Sequence, residues 1–185
     1  MPPQFTFTYS LDEKDYLTHQ LYLSSQSARI NKKRKRSQYF ALAIYLAGAA
    51  YFLFRGVIIG AIIFAILAVV WYFLAAVWDK KRYFNHYRSY VKETYKERTG
   101  LPVTITIDDD YLLAVDSGSE SKIALKEITA ITEIPALIIL SLKGGMSIPF
   151  PKHTDSQTNI IINGLTEMAR KQNIPYNSNL QWEWR

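Results

Sequence analysis

Three histidines, His19, His86 and His153, are the obvious candidates for chemistry in this chain, and each stands in a different segment. An imidazole acts as a general base or a metal ligand only with a partner, either an orienting carboxylate or a second ligand at fixed spacing. His86 has no second ligand at metal spacing. His153 and Asp155 are close in sequence, and a loop leading into a helix accounts for both. Asp108, Asp109 and Asp110 offer consecutive carboxylates, but an EF-hand-type loop needs alternating oxygen ligands, a central Gly and a distal Glu. Leu112 and Leu113 follow instead, so the three aspartates read as a solvated turn. No phosphate-binding Gly loop, nucleophile elbow or metal-binding helix motif occurs. The chain has no cysteine, which excludes disulfides, thiolate nucleophiles and Cys-based zinc sites. The expectation is a protein that is not an enzyme, with no catalytic residue, cofactor or metal.

The residue types that do promise binding are cations. Arg29, Lys32, Lys33, Arg34, Lys35 and Arg36 crowd the segment ARINKKRKRSQ, and Lys80, Lys81 and Arg82 form a second group. Residues 1–98 hold 15 Lys/Arg against 6 Asp/Glu, a net charge of +9, whereas residues 99–185 hold 7 against 10, a net −3. The overall pI near 9.4 would suggest nucleic acid if the charge were spread evenly. It is not spread evenly. The cations flank apolar segments, so contact with a membrane surface is expected and nucleic acid is not.

Those segments are Tyr39–Phe54 and Val57–Trp78, separated by Arg55 and Gly56. At about 1.5 Å of rise per residue the second reaches about 33 Å, enough for a hydrocarbon core of about 30 Å. The first reaches about 24 Å and spans if the bilayer thins or flanking side chains snorkel. The expected architecture is α+β: a transmembrane helical hairpin plus a small antiparallel β domain with a C-terminal helix. The first run begins too far from the N-terminus for a signal peptide, and a second span follows at once. The positive-inside rule puts both termini in the cytoplasm and the Arg55 turn outside, giving a multi-pass protein of the inner (cytoplasmic) membrane. Tyr39, Trp71, Tyr72 and Trp78, with Phe40, fit interfacial anchors. Ala43, Ala47, Gly48 and Gly60 are small enough for close helix packing, within the hairpin or across a homo-oligomer face. Neither run contains Asp, Glu, Lys or His, so a channel or pump is not expected.

The remaining chain divides around this hairpin. Residues 1–28 read as a strand, FTFTY, and a helix over about 11–27 started by a Ser10/Glu13 capping box. This unit is too small to bury a core and is expected to pack on the C-terminal domain. Residues 29–38 are the basic juxtamembrane segment and 39–78 the hairpin. Residues 79–99 continue the second helix, with Tyr83, Tyr87, Tyr90 and Val91 on one face, until Gly100 and Pro102 stop it. Residues 100–185 form the β domain. Alternation predicts strands at 103–107, 111–115 and 121–125, another around Ile128–Ile134, a buried strand at 137–142, and a return at 146–150. Gly144-Gly145 turns the last pair, and Pro149 and Pro151 place the return strand at an edge. Thr154 and Gln157 offer a capping box for a helix over 155–172. Trp182 and Trp184 share a face if the tail is a strand. A single strongly bent sheet of six or seven strands is the expected form.

The words FTFTYSLDEKDYL, VTITIDDDYLLAVDSGSESKIALKEITAITE and LIILSLKGGMSIPFPK, placed around paired spans, resemble the YcxB-like family of bacterial membrane proteins. Leu125 stands where that pattern commonly has an aromatic, and Pro149-Phe150-Pro151-Lys152 stretches its "IPK" word. The resemblance implies a membrane-tethered domain similar to pleckstrin-homology domains, with no known enzymatic activity. Two roles follow as expectations. One is a non-enzymatic binding or sensing module whose partners are the lipid bilayer and a protein. The other is a membrane effector or toxin-immunity-type protein acting through its hairpin.

Overall fold

The computed structural model describes residues 5–152 and 155–184, apart from the side chains of Ala76 and of residues 155–157. His153 and the expected cap at Thr154 lie outside the described residues. The chain divides into two compact units, with the boundaries falling inside two helices, α1 (Glu13–Gln26) and α3 (Ile58–Thr94). One unit takes the chain up to Gln20 and again over Ser89–Glu183. The other takes Leu21–Arg88 and Trp184.

The first unit is built on two four-stranded sheets. One has the order β1 (Phe5–Ser10), β2 (Pro102–Ile107), β3 (Tyr111–Val115), β4 (Glu120–Ala124), antiparallel throughout. Alternation decides its faces. Phe7, Tyr9, Ile105 and Ile107 are buried, while Thr8 and Thr104 meet on the other face with their hydroxyls 2.9 Å apart. β1 is thus a full strand of this sheet, hydrogen-bonded to β2 over six residue pairs from Phe5↔Ile107 to Ser10↔Pro102. The second sheet contains β5 (Ile128–Glu133), β6 (Leu137–Leu142), β7 (Ser147–Pro151) and β8 (Tyr176–Ser178), in the order β7-β6-β5-β8. β6 has the continuous apolar pattern of a strand covered on both faces, and Leu137–Leu140 are fully buried. Gly144 and Gly145 take φ of +82° and +84° in the β6–β7 turn, a conformation that L side chains rarely adopt. The Phe150 ring sits edge-on to Phe7 and Tyr9, at 5.9 and 5.4 Å, and thereby joins the inner faces of the two sheets. The last helix, α4 (Asp155–Gln172), buries Ile161, Leu165, Met168 and Ala169.

Four details depart from the sequence expectations. The described residues form two sheets, not one bent sheet, because the chain breaks into a tight 3₁₀ turn at Leu125–Glu127. Leu125, expected to end a strand, is buried in that turn, with its N–H on the Asp110 carbonyl at 2.9 Å. The cap of α1 is Asp12 and not Ser10, which stays in β1. Asp12 accepts from the Asp15 N–H at 2.7 Å and Asp15 reciprocates to the Asp12 N–H at 3.0 Å. The tail at Trp182–Trp184 is not a strand. The short β8 runs parallel to β5 instead. Glu133 holds β8 in place: it is paired with Lys152 at 2.6 Å and accepts from the Tyr176 hydroxyl at 3.1 Å. Burial, with the Glu133 charge and hydrogen bond in support, pushes that hydroxyl up to about 12.

Removing β1 exposes the edge of β2 and the side chains of Ile105 and Ile107. A chain of residues 99–185 alone is therefore expected to be unfolded or aggregated. Residues 1–20 joined by a flexible linker to residues 89–185 should give a cooperative thermal unfolding transition, read by circular dichroism.

Candidate functional site

Two apolar helices, α2 (Ala28–Phe54) and α3, dominate the second unit. Ser27 caps α2, and the helix runs through the basic segment without a break. Arg55 and Gly56 make the turn, Gly56 with φ +73°. Partly covered positions in α2 include Arg34, Gln38, Ala41, Leu42, Tyr45, Gly48, Ala49 and Phe52. In α3, Ala61, Ala68 and Ala75 are buried seven residues apart, with Phe64 and Trp71 partly covered between them. This spacing of three and four is that of a helix pair packed along a seam. Two glycines receive the rings of the facing helix. A Cβ on Gly48 would lie 2.3 Å from Phe64, and one on Gly60 would lie 2.7 Å from Phe52. The Phe52 and Phe64 rings are themselves 5.3 Å apart.

Of the four residues assigned to helix packing, Gly48 and Gly60 meet the opposite helix, while Ala43 and Ala47 are exposed. Among the aromatic residues assigned to an interface belt, Tyr39, Tyr72 and Trp78 are exposed. Trp71 instead lies in the seam, 6.1 Å from Tyr45, and its Nε1 is buried without a hydrogen-bond partner among the described residues. Its position in the Ala61–Ala75 heptad, two turns from Phe64, accounts for that orientation.

Below the seam the two helices carry charge. Arg29, Lys32, Lys33, Lys35, Arg36, Lys80, Lys81 and Arg82 are exposed, and Arg34 is partly covered. The guanidinium of Arg34 stands over two rings, Tyr83 at 5.7 Å and Trp184 at 5.2 Å. Trp184 is fixed in turn by its Nε1–H donating to the Lys80 carbonyl at 3.2 Å. A cleft of about 230 Å³ opens here, walled by Lys33, Arg34 and Ser37 of α2 and by Asp79, Arg82, Tyr83 and His86 of α3. Helical spacing brings them together: 33, 34 and 37 share one face, as do 79, 82, 83 and 86. The Asp79 side chain is largely buried. The cluster of basic residues is legible in the sequence; the parts that Ser37 and Asp79 take in the wall, and Trp184 behind Arg34, are not. Extending the alanine spacing of α3 by one turn puts Asp79 on the seam face, the one signal that could have marked it.

The first unit has a different feature. His19 Nε2 lies 2.8 Å from Ser147 Oγ, beside an apolar hollow of about 570 Å³ lined in part by Tyr9, Ile105, Ile123 and Ile148. Burial lowers the His19 imidazole to about 4, too weak a base to take a hydroxyl proton efficiently near neutral pH. The pair acts as a hydrogen-bonded tie between α1 and β7. The Asp108–Asp110 turn closes through the Asp108 N–H on the Tyr111 carbonyl. Among the described residues no group of three His, Cys, Asp or Glu is placed to hold a metal ion. No protein-family profile and no curated protein matches the chain.

Two outcomes are expected from these contacts. Gly48→Leu drives a side chain into Phe64, so thermal unfolding in detergent should shift downwards, and Phe64→Ala in the same chain should recover much of the loss. The second concerns His19. Its unfolded value of 6.5 lies above the folded value of about 4, so the unfolded chain binds more protons between them. The contribution of neutral His19 is complete above pH 6.5 and is lost as pH falls towards 4. Between pH 7 and pH 5 that loss is on the order of 2 kcal/mol. Denaturant unfolding of His19→Gln should show a correspondingly flatter pH profile.

Proposed function

We propose that the α2–α3 hairpin crosses a bilayer and holds the β unit at the cytoplasmic face as a non-enzymatic binding or sensing module. One observation carries this reading. The outward faces of both helices are apolar and uncovered, with Phe54 91%, Ile59 74% and Phe73 68% exposed. Soluble monomers rarely expose contiguous apolar surface on this scale, whereas a bilayer covers it without cost to the backbone. The helices are long and apolar enough to cross, and their cations gather at the ends away from the Arg55 turn. Sheet pairing adds an argument independent of charge. β1 and β2 are hydrogen-bonded neighbours, so the chain between them must leave and return to the same side. An even number of crossings meets that demand, and two helices supply it.

The proposed membrane is the inner membrane of a bacterium, in line with the YcxB-like resemblance. Seven strands, β1 to β7, paired antiparallel in two sheets and followed by the helix α4 support a pleckstrin-homology-like reading of the β unit; the short parallel β8 is an addition to that pattern. Its ligand is proposed to be a protein, since residues 99–185 carry a net −3, unfavourable for an anionic lipid surface.

The chain should stay with membranes after an alkaline carbonate wash and require detergent for release. Reporter fusions at residues 55 and 185 should report opposite sides. Changing Lys32, Lys33, Arg34, Lys35 and Arg36 to Gln should mix the orientations. A chain that remains monodisperse in buffer without detergent overturns the reading.

A further inference from the structure

The basic residues near the helix ends are not one diffuse patch. Lys33, Arg34 and Arg82 converge on the same 230 Å³ cleft, while Lys32, Lys35 and Arg36 do not line it. We infer that this cleft is a binding site for a phosphate group carried on glycerol, the headgroup chemistry of an anionic phospholipid. Three features of the geometry support this. First, the donors suit a phosphate. Lys33 brings an ammonium, Arg34 and Arg82 bring planar guanidinium groups that can grip two oxygens at once, and the Ser37 hydroxyl and the His86 ring add further polar groups. Second, the central cation is held. Arg34 stands over the Tyr83 and Trp184 rings, at 5.7 and 5.2 Å, and Trp184 is tied to the Lys80 carbonyl. A guanidinium held this way loses less freedom on binding than a lysine on an open surface.

Third, the cleft lies directly below the apolar part of the hairpin. Trp78, the last residue of the unbroken apolar run of α3, is followed by Asp79 in the cleft wall. A phosphate seated there would leave its acyl chains level with the exposed apolar faces. Basic pockets between membrane helices recognise anionic headgroups in this way. Asp79 is the one acid among the described residues of the wall. Its charge leaves the three cations with a net +2, which favours one phosphate over a heavily phosphorylated headgroup. Assignment to a lipid rests on the membrane reading, whereas the phosphate site itself does not.

The test uses the full chain in a neutral detergent, with native mass spectrometry reading retained lipid. Phosphatidylglycerol is the probe, phosphatidylcholine the neutral control and sn-glycerol 3-phosphate the soluble competitor. Two variants of equal charge are compared: Lys33→Gln with Arg34→Gln and Arg82→Gln, against Lys32→Gln with Lys35→Gln and Arg36→Gln. Three basic contacts at an anionic headgroup should make the first variant bind phosphatidylglycerol at least about tenfold more weakly, with the second close to the parent chain. Asp79→Asn should tighten binding. Equal losses in both triple variants, or no loss in either, overturn the cleft. Retained phosphatidylglycerol that the soluble competitor fails to displace assigns the phosphate to a lipid. Tight binding of glycerol phosphate itself assigns it to a free metabolite and still supports the site. Flotation of the parent chain with vesicles is scored separately, so failure of the membrane reading is distinguishable from failure of the cleft.

Discussion

The pairing of β1 with β2 is the contact on which the rest of this structure depends. It joins strands separated by roughly 90 residues, and three helices lie in the gap. Closing a flexible loop of that length costs about 4 kcal/mol beyond a constant. Two things offset the cost. Burial of Phe7, Tyr9, Ile105 and Ile107 contributes about 1.5–3 kcal/mol for each side chain. The intervening chain also folds back on itself at Arg55 and Gly56, so the ends to be joined are far closer than its length suggests.

In the bilayer setting proposed for the hairpin, size complementarity takes the place of the hydrophobic effect. Lipid tails would be as apolar as the helices themselves, so helices in that setting associate through close packing. The paired arrangement of Phe64 against Gly48 and Phe52 against Gly60 provides it, and the buried alanines at 61, 68 and 75 keep the seam narrow. The seam continues in the same register to Asp79, where the cleft opens among the cations. One helical register thus sets both the apolar contact and the position of the charges.

Much of this was legible from the residues. The Arg55-Gly56 break gave the helix ends, because a charge and a residue tolerant of positive φ interrupt an otherwise unbroken apolar run. Alternation gave β2, β3 and β6, and the Gly144-Gly145 pair gave the turn into β7. What stayed hidden has physical reasons. β8 is three residues long, and its place is set by its pairing with β5 and by the Tyr176 bond to Glu133, not by any pattern of its own. Ser10 and Asp12 both suit an N-cap, and the strand pairing of Ser10 with Pro102 decided between them. Trp71 carries the chemistry of an interface residue, but its heptad position turns it into the seam. The cleft draws on two helices, and Trp184 backs its Arg34 from far along the chain, a convergence that spacing along one helix cannot reveal.

Strand order along the chain also has a consequence in time. β1 leaves the ribosome roughly 90 residues before β2, and at about 5–20 residues per second that is an interval of about 5–20 s. Throughout it Phe7 and Tyr9 stand in an unpaired segment with one edge of alternating apolar character. Such a segment is a template for the β2 of a neighbouring nascent chain as readily as for its own. The speed with which α2 and α3 fold back on each other thus determines whether the sheet closes within one molecule or is exchanged between two.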